Sequence, residues 1–323
     1  MAYPWLRTDS STYRYSVGRL PYFEGIEAPR SADVLPEWMM DRARAHGLTA
    51  LYMDAGWLGT DMRAAAFGDA LRVAGIELYG GADPNLAAGQ EEWGSIGLDA
   101  VRGAREALTY RLTEVGHGWT GGTEFQRAVR AIQVSAAAGA TLVNVIHREA
   151  AKIHRFVEEP PLARQLDALI RNLRSLIPVA EDLGVILTTE AHMDYRVADL
   201  VHVMEAVASP SLRHTFDFAN SISVVEDPLD AARLVAPYTV ATHIKDMRVQ
   251  PTTEIGEPMF FHSPIGTGDV PIIEILQVLQ DGSPDAARMH HCVEVIAPPE
   301  HDAEAWVAAS IAWLRLHAAR FFA

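Results

Sequence analysis

Glu190, Asp217, His243 and Glu294 are the residues whose type and spacing point most directly to chemistry. Each falls at or near the C-terminal end of a different short apolar stretch: VILTTE (185–190), HTFDFA (214–219), VATHIK (240–245) and HCVEVI (291–296). Ionisable groups inside apolar strands are costly unless they are paired or bind a metal. Three carboxylates brought together repel one another, and a divalent cation relieves that repulsion. One imidazole with three carboxylates is mostly oxygen ligation, which favours Mn²⁺, with Mg²⁺ or Co²⁺ as alternatives, over a structural zinc. An open coordination position would admit the adjacent oxygens of a sugar. The metal would then act as a Lewis acid on a carbonyl, and a nearby carboxylate would serve as base for the neighbouring C–H. Any one of these residues alone could be a paired core charge; the expectation rests on four at corresponding positions.

The elements that must hold them are strands alternating with amphipathic helices, the pattern of a parallel sheet covered by helices. Candidate strands are 13–18, 49–54, 76–81, 141–147, 185–190, 214–219, 240–245 and 291–296, the eight needed to close a barrel. Helices are expected at 98–112, 123–140, 162–183 and 302–322; the second begins at a Thr cap and the third stops at Gly184. The fold expected is therefore α/β, a (β/α)8 TIM barrel in which residues 1–323 form a single domain. Two long connections, 82–122 and 247–270, follow strands and would lie on the C-terminal face, where active sites of such barrels sit. Two residues before each candidate ligand stand Thr188, Thr215, Ala241 and Cys292, all small, as a crowded interior beneath a ligand would require.

Composition narrows the partners. The chain has 323 residues, 27 basic against 42 acidic and a formal charge of −15, which disfavours a nucleic-acid or anionic-membrane partner. A lone cysteine, Cys292, allows no internal disulfide and fits a cytoplasmic setting. No stretch approaches a membrane span, and MAYPWLRTDSSTYRY lacks the build of a signal peptide.

The stretches ILTTEAH (186–192), HTFDFAN (214–220), THIKDMR (242–248), PIGTGDVP (264–271) and CVEV (292–295) resemble the sugar phosphate isomerase/epimerase family, the xylose isomerase-like barrels. That resemblance implies a Mn²⁺-type cation held by Glu190, Asp217, His243 and Glu294. It also implies Glu190 and Glu294 as an acid/base pair, with Lys245 and Arg248 contacting substrate or ordering the loop. Ketose epimerases of the family carry a His where Asn220 stands, and a different stretch from AHMDYR after the first Glu. Asn220 and His192 are expected to contact substrate or a ligand carboxylate. His147, ending the fourth strand, is read as a further acid/base or a hydroxyl contact, or else as a His bonded to a neighbouring carboxylate. The aromatics Trp57, Trp93, Trp119, Phe260 and Phe261, together with His117, lie in the loops after strands and serve packing or sugar faces alike.

The activity expected is isomerisation or epimerisation of a sugar or sugar derivative by proton abstraction next to a carbonyl. The alternative is a lyase on the same scaffold, a keto-inositol dehydratase or a deglycosidase of 3-oxo-glycosides. A non-catalytic sugar-binding barrel is the reading from another class. The partner is a small-molecule sugar, and the resemblance implies a homo-oligomer or a pairing with a smaller subunit.

Overall fold

Short apolar runs bounded by glycines and charged helices produce the elements in chain order. The computed structural model describes residues 3–9, 35–94, 113–115, 118–120, 122–147, 152–251, 258–298 and 301–322. They begin with β1 (Tyr3–Asp9), α1 (Leu35–Ala45), β2 (Leu48–Asp54), α2 (Ala55–Leu58), α3 (Asp61–Ala74), β3 (Glu77–Ala82) and α4 (Gln90–Trp93). Next come β4 (Thr113–Val115), β5 (Gly118–Thr120), α5 (Glu124–Ala137), β6 (Leu142–Val145), α6 (Leu162–Leu183), β7 (Ile186–Glu190), α7 (Val197–Val207) and β8 (Leu212–Asp217). The chain continues through α8 (Pro228–Val235), β9 (Thr239–Ile244), β10 (Asp246–Pro251), β11 (Pro258–Ser263), α9 (Ile272–Gly282), β12 (His290–Val293) and α10 (Ala303–His317). They group into two compact units, Met53–Thr215 and Met1–Tyr52 with Phe216–Ala323.

Within the unit Met53–Thr215, β3, β6 and β7 run parallel, and Leu212 to Thr215 of β8 continue the ladder. The register sets Asn144 beside Thr188 and Glu190 beside Thr215. Helix α5 starts with a capping box. The Thr123 hydroxyl accepts from Gln126 N at 3.3 Å, and the Gln126 side chain accepts from Thr123 N at 3.0 Å, satisfying two otherwise orphaned donors. Helix α6 buries Leu169, Leu173, Leu176 and Ile177 along one stripe and ends at Gly184 with φ 68°, a left-handed cap that suits glycine. Each such fully buried side chain contributes about 1.5–3 kcal/mol.

The unit Met1–Tyr52 with Phe216–Ala323 pairs β2, β1, β12 and β9 in parallel, in that order. Cys292 lies beside His243. Helices α9 and α10 bury Ile275, Leu276, Val307, Ile311 and Leu314. Asp227 and Asp302 cap α8 and α10, accepting backbone N–H bonds at 2.9–3.1 Å.

The differences from the sequence reading are local. The expected first strand at 13–18 and the helix at 98–112 lie outside the described residues, and the first strand observed is Tyr3–Asp9. Pro4 hides it, because proline cannot donate to a ladder; the β1–β2 register shifts between Tyr3 and Arg7, next to it. The connection 247–270, expected as a loop, contains the antiparallel hairpin β10–β11. Pro251 and Pro258, paired at the end of its ladder, break the alternation that would have announced two strands.

Candidate active site

In the unit Met1–Tyr52 with Phe216–Ala323, the ends of three strands deliver a buried charged cluster of four residues. Asp217 ends β8, His243 lies in the last turn of β9, Lys245 follows β9 and Glu294 follows β12. All four are 5% exposed or less. The Lys245 ammonium lies 2.8 Å from Asp217 Oδ2 and 2.8 Å from Glu294 Oε1, and donates to Asn220 Oδ1 at 3.1 Å. His243 Nδ1 is 3.2 Å from Glu294 Oε2, and Tyr52 meets the His243 ring edge-on at 5.2 Å. Asp217 Oδ1 accepts from Ala219 N at 2.8 Å and Asn220 N at 2.9 Å, which fixes the carboxylate plane.

Burial works against the charges of Lys245 and Glu294, and pairing wins. Burial alone would lower Lys245, but Asp217 and Glu294 hold its ammonium well above the usual lysine range. Burial alone would raise Glu294, but Lys245 and His243 hold its carboxyl well below the usual range. One ammonium against two carboxylates leaves a net negative charge, so the cluster has room for additional positive charge.

In the unit Met53–Thr215, Glu190 ends β7, 3% exposed. Asn144 Nδ2 donates to Glu190 Oε2 at 2.6 Å, and Thr188 Oγ1 donates to Asn144 Oδ1 at 3.1 Å. Tyr79 and Thr215 extend the chain through hydroxyl bonds to Thr188 at 2.8 and 2.7 Å. The small residues Thr188 and Thr215 are thus polar struts beneath the carboxylate, whereas Ala241 and Cys292 are apolar, and all four are 0% exposed. Sequence reasoning did not single out Asn144 or Tyr79. The available signal was a polar residue in the middle of the apolar run TLVNVIH.

Glu190, Asp217 and His243 are each buried, and each offers a donor of a type that holds a metal ion. The donor chemistry fits a divalent cation, because oxygen and one imidazole nitrogen suit Mg²⁺ or Mn²⁺ and the acidic excess needs compensation.

The other expected residues are placed as follows. His147 is 3% exposed, with Nε2 3.2 Å from the Ile153 carbonyl and its ring 5.9 Å from Tyr195. His192 is half-buried and its N–H donates to Asp194 Oδ1 at 2.9 Å. Asn220 is buried against Lys245. Arg248 is exposed and donates to the Thr267 carbonyl. Asp246 is 1% exposed and organises the GTGD turn. Its Oδ2 accepts from Gly266 N and Gly268 N, both at 2.8 Å. A Cβ at Gly268 would lie 2.1 Å from Asp246 Oδ1, which is why that turn needs glycine. Trp93 is a packing residue, bonded to Ser175 Oγ at 3.0 Å and tilted against Phe125. His117 lies outside the described residues. His290 and His291 are both buried, and His291 Nδ1 lies 2.9 Å from Thr242 Oγ1.

Asp194 is a buried acid that the sequence did not reveal. Its Oδ1 accepts from His192 N and Tyr195 N, but burial outweighs these bonds and, with Glu190 nearby, pushes the carboxyl up to about 7. The folded state therefore holds a proton on Asp194 between about pH 4 and 7 that the unfolded state has released. Stability falls across that window by up to about 1.4 kcal/mol per pH unit and is fully present only below it. In paired urea titrations at pH 4.5 and 7.5, wild type is expected to lose more stability than Asp194→Asn. Parallel losses would show that the carboxyl titrates normally.

Residues 73–317 match the family model described as xylose isomerase-like TIM barrel. The chain belongs to this family, and its fold is that of a TIM barrel. The 3-oxo-isoapionate decarboxylase of Pectobacterium atrosepticum is 26% identical over 151 residues, 46% of this chain and 53% of that protein. The matches span from a fifth to about half of the length of the curated relatives. Among solved structures, the 3-keto-D-glucoside 4-epimerase YcjR of Escherichia coli aligns with TM-score 0.63 at 13% identity, covering 97% of this chain and 99% of that one. A xylose isomerase-like TIM barrel protein from Mycobacterium smegmatis in complex with magnesium aligns with TM-score 0.59 at 18% identity, covering 92% and 91%. At these identities the structural matches speak to the fold. No helix among the described residues is long and apolar enough to cross a membrane.

Proposed function

We propose that this chain is a divalent-metal-dependent enzyme that moves a proton next to a carbonyl of a sugar or sugar derivative, with isomerisation or epimerisation as the outcome. The observation that carries the reading is the buried charged cluster of Asp217, His243, Lys245 and Glu294, to which Glu190, buried at the end of β7, is added as a ligand in this reading. Glu294, bonded to His243, is the fourth ligand in this reading. A bound Mn²⁺ or Mg²⁺ would supply Lewis acidity toward a substrate carbonyl.

The rest falls to the chain's own residues. Asp217, pinned by two backbone N–H groups, and His243, held by Glu294 and Tyr52, are pre-set ligands that need little reorganisation. Glu190 and Glu294 exchange the substrate's carbon-bound proton, each as a carboxylate that accepts and a carboxylic acid that returns. Asn144 holds Glu190 by Oε2 and so fixes the orientation of the carboxylate. Lys245 keeps Asp217 and Glu294 ionised. His147, His192 and Asn220 are assigned to substrate hydroxyls, and Arg248 to the ordering of the GTGD turn.

A lyase outcome is the second reading. The partial match to a 3-oxo-isoapionate decarboxylase favours it, since carbon–carbon cleavage beside a ketone also leaves an enolate-type carbanion to be stabilised.

The test is solvent exchange. Purified protein, with metal measured by elemental analysis, is incubated in D₂O with a panel of ketoses and 3-oxo-glycosides. About one divalent ion per chain is expected, with deuterium entering beside the carbonyl and all exchange lost after chelation and restored by Mn²⁺. Exchange that survives complete metal removal would sink the reading.

A further inference from the structure

His262, on β11, takes no part in the chemistry above, and three observations give it a role. Its Nδ1 is buried without a hydrogen-bond partner among the described residues. Burial first, and then Lys245, push the imidazole down to about 4 against the opposing pull of Glu294, so the ring senses the charged cluster and is neutral at physiological pH. The hairpin register pairs Met247 with His262 and Val249 with Phe260. Cross-strand partners share a face, as do residues two apart. One face of the hairpin therefore carries Met247, Val249, Phe260 and His262, with no charged group among them. Arg248 lies on the opposite face, bonded to Thr267. Val249 and Phe260 are 43% and 46% exposed, an apolar shelf on the same face as the one imidazole.

We propose that His262 binds substrate: its imidazole hydrogen-bonds a hydroxyl or ether oxygen on the unreacting part of the sugar, and Val249 and Phe260 seat an apolar substituent attached there. The preferred substrate is then an unphosphorylated sugar derivative bearing an apolar group. A sugar phosphate is disfavoured, because Met247, Val249, Phe260 and His262 would strip a phosphate of its water without supplying a cation of their own. The inference rests on the proposed sugar chemistry for the identity of the reacting end. An unpartnered nitrogen in a buried position is costly to maintain, and a small rotation of the ring that presents it to a ligand oxygen would satisfy it.

The experiment uses the metal-loaded protein and three matched probes: 3-oxo-glucose, its phenyl β-glycoside and its 6-phosphate. Binding is measured by calorimetry and proton exchange in D₂O in parallel, for wild type, His262→Ala and Val249→Glu. Wild type is expected to bind the phenyl glycoside at least about ten-fold more tightly than either other probe. His262→Ala should weaken its binding by about ten-fold, and Val249→Glu, at an exposed position, should remove only the phenyl advantage. Tightest binding of the phosphate, unchanged binding in His262→Ala or no binding of any probe would overturn the proposal. Exchange without the phenyl preference would sink this inference and leave the proton-transfer reading standing. The phenyl preference without exchange would do the reverse.

Discussion

Glu294→Gln is expected to lower turnover by about 10³-fold while the protein stays folded and still takes up metal at saturating Mn²⁺. The amide keeps the shape and an acceptor oxygen for Lys245, which lies 2.8 Å from Glu294 Oε1 in the wild type. It cannot accept or return a proton, so the loss falls on kcat rather than on KM. Glu190→Gln should behave alike, because Asn144 can still bond the remaining carbonyl oxygen. Asp217→Asn differs in kind. Its oxygens are occupied by backbone N–H groups and Lys245, so it has a ligand role alone, and its loss should appear first as weakened metal binding. Measuring bound metal beside kcat separates the two. Turnover of Glu294→Gln within ten-fold of wild type would remove Glu294 from the proton transfer. A folded, metal-loaded wild type that binds sugars but never exchanges a proton would mark a binding protein instead.

These positions were legible in the sequence for a physical reason. An acid or imidazole at the end of an apolar strand is too costly to stand there without a partner, so Glu190, Asp217, His243 and Glu294 advertised themselves. The helices with clear caps were equally legible: α6 spans the residues its periodicity indicated, and Thr123 caps α5 as its type suggests. What stayed hidden depends on contacts between distant residues. Asn144 is one polar residue in a strand until Glu190, 46 positions on, is set against it. Asp194 is one acid in AHMDYR until burial and its two backbone bonds are known. The shape of the GTGD turn is dictated by the Asp246 carboxylate some twenty residues earlier, a contact that the stretch itself does not announce. His262 was concealed because prolines masked the hairpin that carries it.

Lys245→Met should destabilise the metal-free protein by about 3–5 kcal/mol, the cost of leaving buried carboxylates without their cation. Lys245 is 3% exposed and contacts both Asp217 and Glu294, so its removal leaves two acids facing each other in a dry site. Methionine matches the length of the stem and fills most of its volume, so the loss reports charge rather than a cavity. The two acids have two ways out. One or both bind a proton, in which case the variant regains stability on acidification. Alternatively a divalent cation binds, and stability returns with metal concentration by mass action. Urea unfolding of wild type and variant, with chelator and with saturating Mn²⁺, distinguishes these routes. The expected result is a large gap in chelator that narrows when Mn²⁺ is added, because the ion replaces the missing charge as well as binding its ligands. A gap of the same size in both conditions would mean that metal does not reach Asp217 and Glu294. Equal midpoints throughout would mean that the carboxylates need no internal cation, and that the acidic excess of the cluster is no argument for a metal.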